Sequence, residues 1–126
     1  MTLYAVIQNV LQKEEFSFVD CAVHVSLVNL VKDYSMLTEE ETAYARNPLT
    51  HVDFLLFRRM DKSPLLAVEV DGTAFHATGS TQAGRDEKKN RIFELCGIPL
   101  LRLRTDGSSE KERIEQGLRA TLSIGQ

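Results

Sequence analysis

Three acidic residues stand in stretches that are otherwise apolar: Asp53 in HVDFLLF (51–57), Glu69 in PLLAVEV (64–70), and Asp71 directly after it. Side chains of a strand repeat every two residues, so Glu69 and Asp71 share a face. If the two runs pair as a hairpin, Asp53 lies beside them. Three like charges held together in a half-buried setting cost on the order of several kcal/mol, comparable to the whole stability of a small domain. Protons relieve that repulsion, or a divalent cation does. Carboxylate oxygens, with a backbone carbonyl and waters, suit Mg²⁺ or Mn²⁺. Each carboxylate taken singly reads better as a strand-end group reaching solvent; the coincidence of three weakens that reading.

The segment that follows adds polar groups in helical phase. Gln82, Asp86, Lys89 and Phe93 step by four and three along one stripe, with Arg85 and Asn90 beside it. A lysine or glutamine at the polar end of such a stripe could orient a water or touch a phosphate, and the bland reading is a solvated first turn. Gly84 within this helix costs about 1 kcal/mol relative to alanine and suggests close approach by DNA or by another element. His76, five residues after Asp71, is a candidate general base, a ligand to metal-bound water, or a loop histidine without a role. His24 and His51 read as structural.

The elements that must position these groups are legible in outline. Apolar Leu3, Val6, Ile7, Val10 and Leu11 predict a first helix over 3–14. FSFVDCAVHVSL (16–27) alternates like a strand, VNLVKDY (28–34) suggests a short helix, and Thr38 could cap a single helical turn. The runs at 51–57 and 64–70 are apolar on both faces, as in a central sheet covered on each side. A helix is predicted over 81–96, stopped by Gly97 and Pro99. IPLLRLR (98–104) is then a strand, and the chain closes in a helix capped by Ser108 or Ser109. The expected class is α/β, a central mixed β-sheet flanked by helices.

Composition narrows the function. The 126 residues are 43% hydrophobic and 26% charged with a net charge of −3, an ordinary globular balance read as a single domain over 1–126. No apolar run is long enough to span a membrane and the start has no signal-peptide pattern, so the expected compartment is cytoplasmic. Cys21 and Cys96 lie too far apart for a zinc motif. The acidic balance argues against a general nucleic-acid coat, yet local basic clusters exist at Arg58–Arg59 with Lys62, at Lys88–Lys89 with Arg91, and at Arg102 with Arg104. No GxxxxGK[ST] is present, which disfavours an NTPase.

HVDFLLF, then AVEVDGTAFH, then QAGRDEKKNRIFELCGIPLLRLRT together resemble the PD-(D/E)xK endonuclease superfamily. The similarity is to the very-short-patch-repair-like branch, and to the nuclease-like domain found at the C-terminus of superfamily I DNA helicases. It covers roughly residues 51–105. The resemblance implies a restriction-endonuclease-like core and Mg²⁺-dependent (or Mn²⁺-dependent) hydrolysis of DNA phosphodiester bonds in repair or processing, alone or attached to a helicase module. Its metal ligands would be Asp53, Glu69 and Asp71 with the Val70 carbonyl. Its further catalytic groups would be His76 and Lys89, and its DNA contacts Gln82, Arg85 and Lys88. The lysine that the plain motif sets two residues after the glutamate is replaced here by Asp71. In this branch it lies on the following helix, where Lys89 matches and Lys88 is the reserve. The alternative is a non-catalytic nucleic-acid-binding or interaction accessory domain on the same fold.

Overall fold

The computed structural model describes residues 2–71, 81–104 and 109–124; the side chains of residues 71, 81–83, 104, 123 and 124 are not part of the description. Among the described residues, four α-helices and four strands follow one another as α1 (Leu3–Leu11), β1 (Val19–Ser26), α2 (Glu39–Arg46), β2 (His51–Arg58), β3 (Pro64–Asp71), α3 (Thr81–Cys96), β4 (Leu100–Arg104) and α4 (Glu110–Ile124). The strands form one sheet in the order β1-β2-β3-β4. β1, β2 and β3 are successively antiparallel, and β4 returns through α3 to lie parallel to β3. The fold is therefore α/β with a mixed sheet, as the pattern of elements predicts.

Local chemistry explains the boundaries. The Thr2 hydroxyl accepts from the Ala5 N–H at 3.1 Å and opens α1, whose Ile7 and Val10 are buried. α3 ends where Gly97 takes φ 73°, the left-handed conformation that closes a helix at little cost only for glycine. Both sheet faces are covered. On one, Leu56, Leu66, Val68 and Leu103 pack with Ile7 and Val10 of α1 and with Ile114 and Leu118 of α4. On the other, Leu55 and Ala67 meet Ala45 of α2 and Ile92 and Phe93 of α3. A strand pair buried on both sides needs apolar residues at consecutive positions, which is why 51–57 and 64–70 lack clean alternation.

Four expectations are corrected. The short helix over 28–34 is a single 3-10 turn, Leu27–Asn29. β1 begins at Val19, because Glu14–Phe16 winds into another 3-10 turn that buries Phe16. The single turn after Thr38 is the two-turn helix α2, opened by a reciprocal cap. There the Thr38 hydroxyl accepts from the Glu41 N–H at 3.1 Å, and Glu41 Oε1 accepts from the Thr38 N–H at 2.9 Å. Of the two approaches Gly84 suggests, the one by another element of the chain is not made: nothing among the described residues comes within 4 Å of where its Cβ would stand, which leaves approach by DNA open. No helix among the described residues is long and apolar enough to cross a membrane.

Candidate functional site

The site begins with a split in the sheet. β2 and β3 pair from Phe57 and Pro64 up to Phe54 and Val68. Beyond that point β2 stays with β1 as far as His51↔Ser26, and β3 stays with β4 as far as Asp71↔Arg104. Backbone donors exposed where two strands part need new acceptors. Carboxylates provide them. The Val70 N–H donates to Asp53 Oδ2 at 2.8 Å, and the Asp53 N–H donates to Glu69 Oε1 at 3.2 Å. The opening is a cleft of about 530 Å³ lined by Thr50, His51 and Asp53 of the β2 side and Glu69 and Val70 of β3. Tyr44 and Asn47 close it from the end of α2, and Arg85 and Lys89 from α3.

Lys89 is buried, with 9% of its surface exposed, as is Glu69. Its ammonium donates to the His51 carbonyl at 2.9 Å and to Glu69 Oε2 at 3.2 Å, tying α3 to both sides of the split. The same helical phase buries Ile92 and Phe93 against the sheet, so the apolar contacts of α3 hold the lysine in place. Arg102 of β4, the register partner of Glu69, brings its guanidinium to 3.9 Å from Glu69 Oε2 and bonds Asp86 and Asn90 of α3. Burial pushes the Glu69 carboxyl above its ordinary 4.5; the nearby Lys89 opposes that shift and Asp53 adds to it. Burial likewise raises Tyr44, with Glu69 and Asp86 adding to the effect. Tyr44 thus presents a neutral hydroxyl to the cleft.

The predicted residues divide into three groups. Asp53, Glu69, Lys89 and Arg85 come together on one cleft. Lys88 turns toward α2, where its ammonium stands 3.8 Å from Glu40, so Lys89 is the lysine of this helix at the carboxylates. The Asp71 backbone continues β3 and that of Gln82 belongs to α3. The side chains of both, and His76 entirely, lie outside the described residues. The basic clusters are largely engaged within the chain: Lys88 with Glu40, Arg91 with Glu41 at 2.8 Å, and Arg102 with Asp86 at 3.4 Å. Sequence reasoning missed Arg102 and Tyr44 as groups at the site. The LLRLR alternation sets Arg102 on one face of β4, but only the parallel register aligns it with Glu69.

The donor set fits a hard divalent cation. Asp53 Oδ1 accepts no hydrogen bond among the described residues, and the nearby His51 Nε2 is too distant for one at 3.8 Å. With Val70 lining the same cleft, hard oxygen is available from a carboxylate and from the backbone. Both Glu69 oxygens are already engaged by N–H donors, so Glu69 is the weaker ligand.

Residues 1–122 match one family model, described as a protein of unknown function (DUF2726). No curated protein and no solved structure matches the chain.

Proposed function

The chain belongs to the DUF2726 family, and for it we propose a metal-dependent DNA endonuclease-like domain that hydrolyses phosphodiester bonds, in repair or processing or as an attachment to a helicase module. The observation that carries the reading is the pair of carboxylates, Asp53 and Glu69, at the split between two strands, with a buried lysine ammonium 3.2 Å from one of them. Asp53, the Val70 carbonyl, Asp71 and more weakly Glu69 would hold Mg²⁺ or Mn²⁺. Such an ion supplies a water of lowered pKa and offsets charge building on the phosphate. Lys89 keeps a fixed positive charge beside the reacting phosphate, where a preoriented charge acts without reorganisation. Arg85, with Gln82, contacts the DNA backbone and sets its register over the cleft. Lys89 or His76 would position the attacking water or take its proton.

One observation favours the second reading, a non-catalytic nucleic-acid-binding or interaction domain: the chain's own donors already engage both oxygens of Glu69. Nicking of supercoiled plasmid with Mg²⁺ or Mn²⁺ separates the two. The endonuclease reading expects nicking by the wild type and its loss in Glu69→Ala. DNA binding without any metal-dependent nicking supports the accessory domain instead.

A further inference from the structure

We propose that His24, His51 and Asp53 form a second kind of cation site, one for a borderline divalent ion of the zinc class, on the β1–β2 side of the split. One ligand atom from each of the three residues lies within 4.8 Å of the other two. The arrangement follows from register. Val23 pairs with Phe54 and Val25 with Val52, so His24 stands opposite Asp53, and His51 lies two residues along the strand from Asp53. The two imidazoles approach with ring centroids 5.0 Å apart and planes tilted by 56°. His24 adopts φ 50°, a left-handed conformation that costs a non-glycine residue about 1–2 kcal/mol.

The His51 ring is oriented as a ligand. Its Nδ1 lies 3.0 Å from the Leu49 carbonyl. A carbonyl only accepts, so Nδ1 carries the proton and the lone pair sits on Nε2. A backbone carbonyl fixing the second ring nitrogen is the usual support of a metal-bound histidine. Nε2 faces Asp53 Oδ1 across 3.8 Å, too far for a hydrogen bond. Two ligand atoms on a tetrahedral zinc are separated by roughly 3.3 Å at ordinary bond lengths. Reaching that spacing from within 4.8 Å requires the side chains to close in, and His24 is exposed and His51 half-buried. Two imidazoles and one carboxylate select zinc-class ions over Mg²⁺, which prefers oxygen alone.

Calorimetric titration of the full chain with Zn²⁺, without DNA, tests the site independently of any cleavage. The expected result is one equivalent bound, weakened about tenfold or more in both His24→Asn and His51→Ala. Asparagine tolerates left-handed backbone, so His24→Asn removes the imidazole without adding strain. Thermal unfolding in EDTA checks that each variant keeps its fold. No Zn²⁺ binding by the wild type, or unchanged affinity in either folded variant, overturns the proposal.

Discussion

Asp53 and Glu69 face each other across the same split, yet their surroundings differ. Glu69 is buried between the Lys89 ammonium at 3.2 Å and the Arg102 guanidinium at 3.9 Å. Asp53 has no lysine or arginine partner among the described residues. One of its oxygens takes the Val70 N–H, and the other stands beside His51. The chain itself therefore compensates one carboxylate and leaves the other without a cationic side chain among the described residues. In the endonuclease reading proposed above, that division would give Glu69 the role of holding Lys89 in place and Asp53 that of binding the cation.

The largest effect that would break this contrast comes from Lys89→Met. In the endonuclease reading, removing a preoriented charge at the reacting phosphate lowers cleavage by about 10²–10³-fold. DNA affinity should change little, since one phosphate contact among several contributes modestly. The variant also leaves Glu69 and the His51 carbonyl short of a donor, costing about 1–3 kcal/mol of stability in urea unfolding. Unchanged cleavage and unchanged stability together would mean that Lys89 holds nothing in place.

A smaller effect is expected in pH dependence. Glu69 is raised above 4.5 by burial, so its proton is held more tightly folded than unfolded. As pH rises from about 4.5 to the folded value, the unfolded chain loses that proton first and gains relative to the native state. Wild type should therefore lose stability across this window, and Glu69→Gln should lack that part of the decline. Parallel stability profiles for the two proteins would contradict the assignment of a buried, strained carboxylate.

How much of this was readable follows from how local each signal is. The strands at 51–57 and 64–70 show as short apolar runs rich in β-formers, and the placement of Lys89 depends on the period of 3.6 within one helix; both signals are visible in the residues. Phe93, one turn beyond Lys89, sets the helical phase that separates Lys89 from Lys88. α2 was legible at its Thr38 cap but not in length, because it buries only Glu41 and Ala45 and carries no apolar stripe. Arg102 beside Glu69 and His24 opposite Asp53 depend on registers between strands separated by a helix or a long connection. Nothing within either strand encodes the partner's register. Arg102, as a cation that the chain itself brings to the acidic cluster, was missed for that reason.

The smallest effect concerns Asp53 itself. In Asp53→Asn the amide oxygen still accepts the Val70 N–H. Stability in EDTA should stay within about 0.5 kcal/mol of wild type, the range of a substitution that breaks no buried contact. A substantial loss by thermal or urea unfolding would make Asp53 a scaffold residue like Glu69 and erase the contrast.

Calorimetric titration with Mg²⁺, run on wild type and on Asp53→Asn, tests the central claim most directly. Mg²⁺ prefers oxygen ligands to imidazole, so its heat reports the carboxylate side of the split. The account predicts one binding event in the wild type and none in Asp53→Asn at the same concentrations. Mg²⁺ heats that are absent in the wild type, or that survive the substitution unchanged, would contradict it.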